Sequence, residues 1–136
     1  MKLNTYIHFN GQCAEAFKFY EKCLGGKIAA IMPYAGSPAE AQVPPEFANK
    51  VLHARLELGD QVLMASDAPP GRYTPPSGFS INVQVKDATT AERTFSALAE
   101  GGKQIMPMGE TFWAIRFGML VDRFGIPWMV NCEKPM

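Results

Sequence analysis

Phe79-Ser80-Ile81-Asn82-Val83-Gln84-Val85 alternates without a break: Phe79, Ile81, Val83 and Val85 share one face of an extended chain, and Ser80, Asn82 and Gln84 share the other. The segments after this strand decide the fold. A helical pattern over about 89–100 has Ala91, Phe95, Leu98 and Ala99 as its apolar stripe and stops at Gly101-Gly102-Lys103. Ile105-Met106-Pro107 comes next, then two apolar segments, 114–121 and 127–131, on either side of the turn Asp122-Arg123-Phe124-Gly125. The first half of the chain runs in the same order. Leu3, Thr5, Ile7 and Phe9 share a face of a strand over 3–9, and Asn10-Gly11 makes a turn. A helix over about 12–24 presents Cys13, Ala16, Phe17, Tyr20 and Leu24 at helical spacing. It stops at Gly25-Gly26-Lys27, where a left-handed C-cap is expected. A strand over 28–32 leads through Ile31-Met32-Pro33 into a long loop, and strands over 53–58 and 62–66 flank Gly59-Asp60. Each half therefore reads βαβββ, an α+β arrangement repeated once. Module one spans about 1–67 and module two about 78–136; the linker between them, 68–77, carries prolines that cannot sit in a central strand.

A βαβββ unit covers one sheet face with its helix and leaves the other bare. Two such units can set their bare faces around a common cleft, and a ligand-sized pocket is the expected product.

Composition narrows the function. The 136 residues suit a single domain built of two small modules, with 47% hydrophobic and 19% charged residues, a globular profile. Thirteen basic and thirteen acidic residues cancel, and there is no Lys/Arg run, so the electrostatic footprint of a nucleic-acid binder is missing. No apolar stretch approaches the roughly 18 to 20 residues of a membrane span, and the N-terminus does not read as a signal peptide. Cys13, Cys23 and Cys132 are an odd, widely spaced set that suits reduced thiols in the cytoplasm.

Four segments resemble the PhnB-like branch of the glyoxalase/bleomycin-resistance/extradiol-dioxygenase superfamily, the vicinal oxygen chelate fold. They are Phe9 to Tyr20, His53 to Leu58, Leu63 to Asp67, and Glu110 to Asn131, which includes Gly125-Ile126-Pro127-Trp128. The resemblance implies paired βαβββ modules, a homodimer, and in catalytic members one divalent ion held by His, Glu or Gln side chains from the first and last strands of each module. Such an ion acts as a Lewis acid on two neighbouring substrate oxygens. Carried onto this chain, those positions fall on Asn4 or Thr5, Met64, Ser80 or Ile81, and Met129 or Trp128. Neither register supplies a histidine or carboxylate, and a thioether is too soft a ligand for the purpose. The expectation is a metal-free site with no cofactor. Some members of the branch carry a demethylubiquinone methyltransferase label. The sequence has no glycine-rich strand-to-helix turn for an adenosyl cofactor.

The residues expected to face the cleft are Tyr6, His8, His53, Met64, Ser80, Asn82, Gln84, Trp113, Arg116, Trp128 and Met129. Ser80, Asn82 and Gln84 need partners: a ligand, water or a second copy of the chain. Arg116 between Ile115 and Phe117 suggests a carboxylate partner, either internal (Asp122 or Glu110), which is favoured, or on a ligand. Trp113 and Trp128 are core or wall aromatics able to stack on a flat ligand. Cys13, near a helix N-terminus, reads as a packing residue, although a lowered pKa is the alternative there. Tyr34 and Phe47 would anchor the long loop 33–49 as a lid or as simple packing.

These residues support three functional readings. The first is a metal-free protein binding a small apolar or aromatic molecule, whether to sequester it or to transform it. The second is a metal-dependent lyase, isomerase or dioxygenase using His8 and His53 with Glu57 or Glu110. The third is a structural or interaction role with a closed interior, or one related to quinone methylation.

Overall fold

Two four-stranded sheets, each with one helix, make up the two halves of the chain; the computed structural model describes residues 1–135. The elements are β1 (Thr5–Phe9), α1 (Cys13–Leu24), β2 (Lys27–Pro33), β3 (Val51–Leu58) and β4 (Gln61–Asp67), then β5 (Ile81–Gln84), α2 (Ala88–Ala99), β6 (Lys103–Gly109), β7 (Ala114–Val121) and β8 (Pro127–Glu133). The sheets run β1-β4-β3-β2 and β5-β8-β7-β6. In each, the first strand lies parallel to the last, and the other pairs are antiparallel. The α+β class and the βαβββ repeat are as the sequence reads. The chain divides into two compact units, Met1–Thr74 and Pro75–Met136.

Strand ends differ from the sequence pattern where a partner is lacking or extends. β5 is only four residues long, because Phe79 follows Gly78 at φ +78° and stays half-exposed at 51%. Leu3 is 97% exposed, and β1 begins two residues after it. β8 continues to Glu133 because Ala114 at the start of β7 pairs with it. The loop before β3 winds through two short 3₁₀ turns, Glu40–Gln42 and Pro45–Phe47.

Each helix buries one stripe on one sheet face. In the first module Cys13, Ala16, Phe17 and Tyr20 are fully buried, and the rings of Phe9, Phe17 and Tyr20 stand 6.1 to 6.4 Å apart. In the second, Ala91, Thr94, Phe95 and Leu98 of α2 are buried, and α2 packs on β7 and β8, where Leu120, Trp128 and Val130 are buried too. Burying a large apolar side chain is worth about 1.5 to 3 kcal/mol, so these stripes orient the helices.

The helix N-termini are satisfied differently. Asp87 caps α2, accepting a hydrogen bond from Thr90 N at 2.7 Å. Gln12 gives α1 no side-chain cap; instead Asp67, 54 residues away at the end of β4, accepts the Cys13 N–H at 2.9 Å. The other oxygen of Asp67 accepts the Val51 N–H at 2.9 Å, and its backbone carbonyl accepts the Tyr34 hydroxyl at 2.8 Å. One buried carboxylate thus ties helix and strand together.

A left-handed glycine follows each helix, though at different positions. Gly25 itself caps α1, its N–H donating to Glu21 O, whereas α2 is capped by the extended Glu100 and Gly101 comes next. Gly25 and Gly101 each have φ +76°, the left-handed conformation that glycine adopts without strain. The second glycine serves a different need. A Cβ on Gly26 would lie 2.7 Å from Glu57 O of β3, and one on Gly102 would run into the Val121 carbonyl of β7. The chain leaving each helix lies directly on the backbone of the following hairpin. Gly26→Ala and Gly102→Ala should each destabilise the fold by about 1 to 3 kcal/mol through overpacking. Chemical denaturation of the two variants checks this, with unchanged midpoints as the contrary result.

Candidate functional site

Register partners in a sheet share a face, so strand pairing assigns each candidate residue to a side. In the first module the face away from α1 carries Tyr6, paired with Met64, which pairs in turn with Arg55. His8 pairs with Ser66 on this face, and His53 of β3 pairs with Met32. Tyr6 is 41% exposed and stands between the two histidines, its ring centroid 5.1 Å from His8 and 6.0 Å from His53. Tyr6, His8, His53 and Met64 therefore lie together, as a patch of rings and a thioether.

In the second module Asn82 pairs with Met129, Gln84 with Asn131, and Met119 with Met129, all on the face away from α2. The amides bond to one another. Gln84 Oε1 accepts from Asn82 Nδ2 at 2.8 Å and from Asn131 Nδ2 at 2.7 Å, and Gln84 Nε2 donates to Glu133 at 3.2 Å. Trp113 Nε1 donates to Asn131 Oδ1 at 3.3 Å, and its ring meets those of Phe112 and Phe117 at 4.9 and 5.1 Å. The polar row on β5 thus finds partners within its own sheet. Asn131, which the sequence pattern did not single out, is the residue at which they meet; its place two residues after Met129 was the available signal.

Three placements correct the sequence reading. Trp128 does not face the side of the amides: it is 1% exposed, pairs with Ile81 and Leu120, and lies in the core on the α2 side. Its indole Nε1 donates to Asp122 Oδ2 at 2.8 Å, while Asp122 Oδ1 accepts from Phe124 N and Ile126 N at 2.8 and 3.0 Å. The tryptophan closes a turn. Arg116 also faces α2, paired in register with Cys132, and its ion-pair partner is Glu92 at 3.0 Å, not Asp122 or Glu110. A bulge between Ala114 and Arg116 shifts the alternation at that point. Ser80 precedes β5 and is outside its ladder.

The thiol of Cys13 is set against reactivity. Burial pushes its pKa well above the ordinary thiol range, and the nearby Asp67 carboxylate adds to the shift. The lowered pKa offered by a helix N-terminus is overridden, because Asp67 already takes the Cys13 N–H. Tyr34 is raised as well, by burial and then by Asp67, and its ring packs on Phe47 at 5.4 Å.

The donor chemistry does not suit a divalent ion. Glu57, the carboxylate nearest His53 on β3, is engaged by Arg55 at 3.0 Å, and Glu110 by Lys134 at 2.9 Å. Among the described residues no group of three or more His, Cys, Asp or Glu side chains is arranged to hold a metal ion. Among them, too, no helix is long and apolar enough to cross a membrane.

The paired βαβββ units and their bare sheet faces define a protein of the glyoxalase fold. A glyoxalase/bleomycin resistance protein/dioxygenase family enzyme from Burkholderia phytofirmans PsJN shares this fold at 16% identity and a TM-score of 0.66, covering 96% of this chain and 97% of its own. More particularly, the chain belongs to the PhnB-like family described as 3-demethylubiquinone-9 3-methyltransferase, which matches residues 1–131. Protein YjdN of Escherichia coli (strain K12) is 32% identical over 142 residues, 98% of this chain and 97% of the relative. The crystal structure of protein PA1353 from Pseudomonas aeruginosa is 47% identical with a TM-score of 0.90, covering 99% of each chain. A putative 3-demethylubiquinone-9 3-methyltransferase, PhnB protein, from Bacillus cereus is 26% identical with a TM-score of 0.77, over 97% of this chain and 99% of that one.

Thiol labelling checks the Cys13 assignment. At pH 8 the native protein should react through Cys23, the one cysteine that is not buried, with Cys13 and Cys132 labelled only on unfolding. Rapid native labelling of Cys13, located by mass spectrometry, would contradict it.

Proposed function

We propose that the protein binds a small aromatic or otherwise apolar molecule on the helix-free faces of its sheets, without a metal ion or a cofactor. The observation that supports this is a pair of half-exposed rings, Tyr6 and Trp113, each 41% exposed and each backed by further rings on the face its helix leaves bare. Such rings offer area for stacking, and aromatic pairs are worth about 0.5 to 1.5 kcal/mol beyond burial. The reading includes a homodimer in a reducing, cytoplasmic setting, in keeping with three cysteines that form no disulfide.

Methyl transfer is not part of this reading. It would need a site for an adenosyl cofactor, and the β1–α1 turn, Asn10-Gly11-Gln12, has one glycine. The helix N-terminus that such cofactors use is filled here by the Asp67 carboxylate. A metal-dependent reaction through His8 and His53 would need a third ligand, and both candidate carboxylates are held by cations.

The two tryptophans give the test its readout, since Trp113 is half-exposed and Trp128 buried. In a ¹H–¹⁵N spectrum, titration with naphthols and substituted phenols should shift the Trp113 indole signal saturably and leave that of Trp128 in place. Tyr6→Ala and Trp113→Phe together should abolish binding measured by calorimetry. No saturable shift across the panel would overturn the reading.

A melting scan tests the absence of a metal. A site filled at a hundred times its Kd would add about 2.7 kcal/mol, which raises Tm by several degrees in a chain of this size. Added Zn, Ni, Mn or Fe(II) should leave Tm unchanged within about one degree, and a several-degree rise lost in His8→Ala or His53→Ala would show a metal site.

A further inference from the structure

The amide relay of the second module has a fixed direction, and that direction determines what it can recognise. At one end stands the Trp113 indole, which can only donate; at the other stands Glu133, a carboxylate that accepts. Asn131 Oδ1 must therefore accept from Trp113, which turns Asn131 Nδ2 toward Gln84 Oε1. Gln84 Nε2 must then donate to Glu133, and Gln84 Oε1 takes two N–H groups, from Asn131 and Asn82, filling both lone pairs. No amide in the row can flip without opposing two acceptors or two donors. Asn131, only 6% exposed, holds the middle of the relay rigid.

Asn82 is the end of the row that remains unfilled. One N–H of its Nδ2 is committed to Gln84, and its Oδ1 takes no hydrogen bond among the described residues. The exposed amide thus presents an acceptor of set orientation on the same face as Trp113. Lys134 is engaged by Glu110, and Arg116 by Glu92 on the other side of the sheet. Glu133 adds a negative charge to this face, so an anionic ligand is disfavoured. Asn82 and Gln84 are two residues apart on β5, about 6.6 Å, and Gln84 lies in register with the Asn131 that holds Trp113.

Resting on the ligand-binding reading above, we propose that this face selects a neutral, flat ring with a hydrogen-bond donor, of the phenol or naphthol type. The ring stacks on Trp113 and donates its hydroxyl proton to Asn82 Oδ1.

Calorimetry with matched probes tests it on the intact protein. 2-Naphthol should bind roughly threefold to tenfold tighter than 2-methoxynaphthalene, which has the same rings but no donor, the gain of one neutral hydrogen bond. 6-Hydroxy-2-naphthoate, carrying a negative charge, should bind more weakly than 2-naphthol. Asn82→Leu should bring 2-naphthol down to the affinity of the methyl ether, and Asn82→Gln, which keeps both the amide donor and the acceptor, should preserve the preference. Asn82 is exposed, so neither change disturbs the core. Equal binding of the two probes by the unaltered protein, or a preference that survives Asn82→Leu, overturns this inference and leaves the ligand-binding reading standing. Binding of neither probe overturns both.

Discussion

The close approach of each helix exit to its own hairpin is the constraint on which the rest depends. At Gly26 and Gly102 there is no room for even one methyl group against the strand backbone. The helix is thereby held to one side of its sheet, with Phe17 and Tyr20, or Phe95 and Leu98, pressed on the strands. Among the described residues each module has a single α-helix and four strands, so the opposite face has no helix of its own to cover it. The aromatic and amide side chains of interest stand there because the alternation of β1, β4, β5 and β8 is set against the helix on the other side.

Two buried carboxylates hold together segments that local sequence would assign to independent turns. Asp67 takes N–H groups from the start of α1 and the start of β3; Asp122 takes two from its own turn and one from Trp128. A buried carboxylate is costly unless its oxygens are satisfied, and here each accepts at least one hydrogen bond. Both also remove candidates from the chemistry. Asp67 occupies the first helix N-terminus and helps to silence Cys13. Asp122 draws Trp128 into the core, away from the amide face.

In the proposed reading, a face of neutral amides and rings holds an uncharged molecule rather than activating a water or polarising a carbonyl. The first module adds Tyr6 between two histidines, with the Glu57 carboxylate on β3 held by Arg55. In the proposed function, selectivity comes from stacking and from the orientation of hydrogen bonds. The fold is shared with enzymes, but the reaction of any member depends on the groups on its sheet faces.

How much was legible in advance differs between fold and site. The double-glycine stops, the Ile-Met-Pro triplets and the strict alternation before α2 were local patterns, and they were enough for the βαβββ repeat and for the side of the sheet on which Asn82, Gln84 and Met129 lie. Trp128 was misplaced because it was placed on the same face as its neighbour Met129, although adjacent strand residues face opposite ways, and Arg116 because its side depends on other elements. Trp128 is drawn by its indole bond to Asp122, and Arg116 lies past a bulge and reaches Glu92 on a helix 24 residues earlier. Nor could spacing reveal that Asp67 caps a helix 54 residues away, or that Asn131 joins Trp113 to Gln84. The sequence by itself determined the order of elements and the period of each, because these are set by neighbours a few residues apart. Only the tertiary structure decided which polar groups meet, because a hydrogen bond depends on distances of a few ångströms between strands that are far apart in the chain.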